Sequence, residues 1–142
     1  MKNLKFTIEI SAPKEEVWKA LWHDAHYREW TSAFQEGSYF ESTLEKGSDI
    51  KFLTPDQNGM YGVVEDNIPF VKMHFRHLGE VREGEKQEPT YGEEAIEHYD
   101  LTQTAGGTQL TATMNAPEEY IPYFAEVFPK ALENVKSIAE KG

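Results

Sequence analysis

PEEYIPYFAEVFPKALENVKSIAEK, residues 117–141, is the stretch that decides how the rest of the chain must fold. Tyr120, Phe124, Val127, Phe128, Ala131, Val135, Ile138 and Ala139 recur at steps of three and four, which places them on one stripe of a helix. Glu119, Glu126, Lys130, Glu133, Lys136 and Glu140 fall on the other side, which belongs in water. A stripe of that length needs a broad apolar surface to lie against. Two short helical pieces aside, everything before it reads as strands, so the spacing predicts a long helix laid across a curved sheet. Pro122 lies within or before the first turn, where proline is tolerated. Pro129 lies inside the pattern and is expected to kink the helix near Ala125–Pro129, because proline removes a backbone donor and crowds the carbonyl four residues back. Such a kink shapes a cavity, or lets the first half of the helix swing as a lid, or simply bends the helix around the sheet.

Working back from that helix, residues 3–10 alternate strictly. Leu4, Phe6, Ile8 and Ile10 share one side, and Lys5, Thr7 and Glu9 the other, the signature of a half-buried strand. Pro13 suits the first position of a helix, Glu15 and Glu16 suit its first turn, and Val17, Trp18, Leu21 and Trp22 supply its buried face. A second short helix is expected around Ala25–Trp30, with Trp30 pointing inward. Strands follow at Ser38–Thr43, Asp49–Thr54, Met60–Asn67, Phe70–Val81, Glu93–Thr104 and Thr108–Asn115. Pro55-Asp56-Gln57-Asn58-Gly59 and Ala105-Gly106-Gly107 read as hairpin turns, and Glu80–Pro89 as a charged, exposed loop. The fold class is therefore α+β: a curved seven-stranded antiparallel sheet wrapped around a long C-terminal helix, with two short helices after the first strand. No repeat, linker or low-complexity tract interrupts residues 1–142, so a single domain is expected.

Composition narrows the functional classes. Aromatic residues make up 13% of the 142, and cysteine is absent, so disulfides, thiolate nucleophiles and cysteine-bound metals are excluded. The formal net charge of −11 repels nucleic acid and anionic membrane surfaces. Residues 1–7 have no continuous apolar core of the kind a signal peptide needs, and no run approaches the ~20 apolar residues of a membrane span. A cytoplasmic protein without membrane insertion is expected. No Gly-x-Ser-x-Gly elbow, Gly-x-Gly-x-x-Gly fingerprint or phosphate-binding loop occurs, so no cofactor is expected.

Ile10-Ser11-Ala12-Pro13-Lys14-Glu15-Glu16-Val17-Trp18-Lys19-Ala20-Leu21-Trp22 resembles the opening of the START-like superfamily, the birch-pollen-allergen-like helix-grip proteins. Trp30, Gly62-Val63-Val64-Glu65 with Ile68-Pro69, and Gly106-Gly107-Thr108-Gln109-Leu110-Thr111 follow in the expected order. Together with the closing helix they resemble the branch named after the C-terminal domain of the activator of the Hsp90 ATPase. The resemblance implies a helix-grip fold with a cavity between sheet and long helix. Members mostly bind hydrophobic small molecules such as lipids, sterols or polyketides. Some are cyclases, hydrolases or resistance proteins, and one branch contacts a chaperone.

In that setting Trp30, Phe52, Phe75, Tyr99, Met114, Tyr120, Phe124 and Phe128 are the candidate ligand-binding positions. Two polar residues share the inward faces: His77, after Val71, Met73 and Phe75, and Glu97, between Ala95 and Tyr99. A buried carboxylate needs a partner, so the two either pair and address a ligand, even as catalytic acid and base, or escape to solvent through a shift of strand register. His23 and His26, three apart, have metal-ligand spacing but no third ligand nearby, and no metal is assigned. His74 and His98 read as outward strand residues. Binding of a hydrophobic or aromatic small molecule is favoured over catalysis, with a chaperone contact as a further partner implied by the resemblance alone.

Overall fold

The alternation of Leu4, Phe6, Ile8 and Ile10 becomes β1 (Lys2–Ile10), whose buried side deepens toward Ile10. The computed structural model describes residues 2–141. Pro13 stands immediately before α1 (Lys14–Trp22), where its carbonyl accepts the Glu16 and Val17 amides at 3.0 and 3.1 Å. This places proline one position earlier than the sequence pattern indicates. α2 (Asp24–Thr31) follows at once and buries Tyr27, Trp30 and Thr31. The strands β2 (Tyr39–Glu41), β3 (Asp49–Leu53), β4 (Gly59–Ile68), β5 (Lys72–Arg82), β6 (Glu85–Lys86), β7 (Ile96–Thr104) and β8 (Gly107–Ala116) complete one antiparallel sheet. Its order is β1-β8-β7-β5-β4-β3-β2, with β6 paired to β5.

These seven principal strands are the ones the sequence pattern predicts, apart from a later start of β7, at Ile96 instead of Glu93, and three further details. Glu80–Pro89 is not simply a solvated loop. β5 runs on to Arg82 and turns back through Glu83 (φ 50°) and Gly84 (φ 84°) into β6, and Tyr61 then clasps the return by donating its hydroxyl to the Gln87 carbonyl at 2.7 Å. Phe70 belongs to a turn (φ 69°) rather than a strand, so Val71 is 44% exposed instead of sharing the inward face of Met73, Phe75 and His77. β2 is also shorter than expected. Register shifts at Tyr61/Gly62 and Val64/Asp66 bend β4 against β5. Gly62 makes the first of them possible, since a Cβ there would stand 2.2 Å from the Arg76 carbonyl oxygen.

A turn of 3₁₀ helix (Glu118–Tyr120) leads into α3 (Ile121–Lys141), which continues past Pro129 as one helix. α3 lies against β1, α1 and α2. Phe128 stacks on Phe6 with centroids 5.1 Å apart and planes inclined by 8°. Its buried residues, Phe128, Ala131, Leu132, Val135, Ile138 and Ala139, all fall in the second part of the helix. There the Glu140 carboxylate accepts the Ser11 amide at 2.8 Å and the Lys136 ammonium at 2.5 Å, which ties the helix end to the β1–α1 junction. Upstream of Phe128 the helix is half-buried or exposed. Its first two turns overhang the sheet, with Phe124 half-buried against the core. Among the described residues no helix is long and apolar enough to cross a membrane.

Candidate functional site

The overhang leaves a cavity of about 720 Å³ between the sheet and the start of α3. The opposite end of the sheet is buried core: Ile10, Val17, Leu21, Leu110, Ala112 and Ala131 are at most 1% exposed. The cavity therefore occupies the end where β3, β7 and β8 meet α2 and the 3₁₀ turn. That volume falls within the range of small-molecule pockets, which are generally concave, largely apolar and furnished with a few placed polar groups.

Of the positions singled out in the sequence, Trp30, Phe52, His77, Glu97, Tyr99, Met114, Tyr120, Phe124 and Phe128 line this space. Phe75 does not. It has no exposed surface and meets Trp22 and Phe52 edge-on at 5.5 and 5.1 Å, so it backs the wall that Phe52 presents. Tyr120 is 53% exposed and sits at the mouth rather than in the interior. Sequence reasoning missed the rings of Tyr27, Phe34, Tyr39, Tyr91 and Tyr123, which come from α2, from the short strand β2, from irregular segments and from the first turn of α3. Periodicity carries no signal for such residues. Their one legible feature was a large ring in a stretch that otherwise reads as polar.

The rings form a connected framework. Trp30 is held by donating its indole N–H to the Leu21 carbonyl at 2.9 Å, satisfying one of the orphan acceptors at the end of α1. Tyr27 and Tyr99 meet Trp30 edge-on at 5.5 and 6.0 Å, and Trp22 meets Tyr99 at 5.3 Å. Edge-to-face packing of this kind adds roughly 0.5–1.5 kcal/mol per pair beyond area burial. One wall of the cavity is thus rigid, while Tyr123, donating to the Phe34 carbonyl at 3.1 Å, bridges the mouth from α3.

Inside that framework His77 and Glu97 meet. Phe75 pairs with Glu97 across β5 and β7, and His77 follows Phe75 on the same face. The His77 imidazole, 7% exposed, lies 2.9 Å from a Glu97 carboxylate oxygen through Nε2. The other Glu97 oxygen accepts the Tyr99 hydroxyl. The register shifts that the sequence left open do occur, one with its extra residue at Leu78 in β5, directly beside His77, and one at Glu65 in β4, and they do not carry this pair to solvent. Burial pushes the Glu97 carboxyl up, and the hydrogen bonds and charge that His77 and Tyr99 direct at it outweigh burial, so it lies below the usual carboxylate range. Burial and the adjacent Glu97 charge push the Tyr27 and Tyr99 phenols well above theirs. The result is an ionised carboxylate between a histidine and a phenol that stays protonated. His77 Nδ1 is buried without a hydrogen-bond partner.

The remaining histidines are elsewhere. His23 and His26 come within 5.1 Å, centroid to centroid, and no group of three or more His, Asp or Glu among the described residues could hold a metal ion. His74 and His98 stack at 3.8 Å on the outer face of the sheet, where His74 Nε2 lies 2.8 Å from Asp100.

Residues 11–140 match the family model described as Activator of Hsp90 ATPase homolog 1-like protein. No curated protein matches the sequence. Among solved structures, the protein MLL2253 from Mesorhizobium loti aligns with a TM-score of 0.76 at 16% identity, over 99% of this chain and 98% of that one. The solution structure of the Aha1 dimer from Colwellia psychrerythraea aligns with a TM-score of 0.66 at 20% identity, over 99% and 95%. DynU16, a protein of the dynemicin biosynthetic locus, aligns with a TM-score of 0.74 at 15% identity over 99% of this chain, which spans only 48% of that longer one. At such identities the likeness is one of fold.

Proposed function

We propose, on the premise that this chain belongs to the family of Activator of Hsp90 ATPase homolog 1-like proteins, that it binds a hydrophobic or aromatic small molecule between its sheet and the start of α3. One observation carries the reading: a cavity of about 720 Å³ walled by Trp30, Phe34, Phe52, Phe124 and Phe128, in a fold whose other end is closely packed. Flat rings offer a large contact area at little conformational cost, and Met114 adapts to irregular shapes. Trp30 reports on the cavity directly, since it lines the wall. Titration with a panel of fatty acids, flavonoids and polyketides should give a saturable change in tryptophan fluorescence for at least one class, abolished by Phe52→Ala together with Phe124→Ala. A flat response to every compound would overturn the proposal.

A second reading is favoured by the His77–Glu97–Tyr99 array, which has the geometry of a general acid–base pair with an orienting phenol. In that reading the same ligand is a substrate, His77 shuttles a proton and Glu97 fixes its ring. The distinguishing measurement is turnover of a bound ligand by the His77→Ala, Glu97→Gln double variant. Catalysis requires that turnover fall by at least about a hundredfold, whereas unchanged turnover leaves binding alone.

A further inference from the structure

The cavity has a sign. Its polar lining includes the carboxylates of Glu80, Glu97 and Glu119, and among the described lining residues there is no lysine or arginine. The cations of the chain are engaged on outer surfaces instead. Lys72 pairs with Asp66 at 3.0 Å, Arg76 with Glu65 at 3.2 Å and Arg82 with Glu80 at 3.1 Å, the last from a side chain that is 67% exposed. Arg28 stands over the ring of Tyr39 at 4.9 Å, but Asp24 holds it at 3.0 Å. Glu80 is thus partly compensated, and Glu119 is exposed at the rim. Glu97 is the charge that matters.

Glu97 receives a donor on each oxygen, the His77 Nε2–H on one and the Tyr99 hydroxyl on the other. These hydrogen bonds favour the ionised carboxylate in spite of burial. The Tyr99 phenol stays protonated as donor. The Glu97 side chain retains 22% accessibility, so its carboxylate is open to a guest in the cavity. Around it stand the faces and edges of Tyr27, Trp30, Phe52 and Tyr99. Aromatic faces attract cations, and an ionised carboxylate in a partly desolvated wall attracts them more strongly.

From this lining we infer that the ligand is a hydrophobic organic cation, a protonated amine or quaternary ammonium on an apolar body, with its charged nitrogen directed toward Glu97. The inference rests on the cavity being a ligand site and adds the class of ligand. A fatty-acid or other carboxylate headgroup is disfavoured by the same wall, because it would place a second negative charge beside Glu97 with no lysine or arginine to meet it.

Three probes of one shape separate the possibilities: naphthylmethylammonium, its neutral counterpart naphthylmethanol, and the anion naphthoate, each titrated by amide chemical-shift perturbation at neutral pH. The cation should bind at least about tenfold more tightly than the alcohol, and the anion more weakly than either. The overall charge of −11 would concentrate any cation at the surface, so the titrations are repeated in about 1 M salt, where screening acts over about 3 Å. Preference for the cation should persist there, and Glu97→Gln should remove it while leaving the affinity for the alcohol within about twofold. Equal binding of cation and alcohol, or tighter binding of the anion, overturns the inference and leaves the cavity as a ligand site. Should no probe bind while a neutral or anionic panel compound does, the inference alone is overturned. Should nothing bind at all, the ligand site itself is lost. If Glu97→Gln fails to fold, the order of the three affinities on the unaltered protein still supports or overturns the inference.

Discussion

Trp30→Ala is expected to lower the free energy of unfolding by about 4 kcal/mol, the largest effect of any single truncation in the cavity wall. The indole is 1% exposed, touches Tyr27 and Tyr99 edge-on, and caps the Leu21 carbonyl at the end of α1. Truncation removes the buried area, opens a void continuous with the cavity, and leaves that carbonyl without its donor. Urea melts of wild type and variant measure the difference. Trp30→Phe separates the terms, because it keeps much of the packing and loses the hydrogen bond, and should cost about 1–2 kcal/mol. A loss under about 1 kcal/mol for the alanine variant would mean that the Trp30 junction does not hold α2 to the sheet.

Glu97→Ala should cost about 3 kcal/mol, since it strands the His77 N–H and the Tyr99 hydroxyl in a wall with no replacement acceptor. Glu97→Gln keeps an acceptor and isolates the charge. Because the folded-state affinity of Glu97 for a proton is depressed, its contribution to stability is fully present above the unfolded carboxylate value of about 4.3 and is lost as pH falls through the folded value. Wild type should therefore lose stability more steeply than Glu97→Gln on acidification below about pH 4.3, by up to about 1.4 kcal/mol per pH unit. Asp56, Asp66 and Glu140, also held below the carboxylate range by hydrogen bonds, contribute the same background to both proteins. Parallel acid profiles would show that Glu97 gains nothing from its two donors.

How far the sequence carried can be judged residue by residue. β1 and the second part of α3 were legible because each buries one side only, so that period two and period three-to-four appear directly in Leu4–Ile10 and in Phe128–Ala139. His77 and Glu97 were legible for the same reason: a polar residue at an apolar parity in β5 or β7 must point inward unless the register slips. The helix periodicity continues upstream through Tyr120 and Phe124, and there it misleads about burial, because those rings face a space rather than a packed core. Phe75 was misplaced through the opposite difficulty. Parity puts it on the inner face, but it cannot tell a residue that borders a void from one covered by Trp22 and Phe52. Tyr27, Phe34, Tyr39 and Tyr91 reach the cavity from short or irregular segments whose relative placement depends on the tertiary fold. The β5–β6 turn was hidden by its charged composition, which suits a solvated hairpin as well as a loop.

The uneven burial of α3 has an evolutionary consequence. The turns that secure the helix, from Ala131 to Ala139, are separate from the turns that border the cavity, from Tyr120 to Phe128. Substitutions at the border can reshape guest selection while the anchoring turns preserve foldability. The architecture thus allows descendants to drift in specificity at little risk to folding, much as an interchangeable tool head is fitted to a fixed handle.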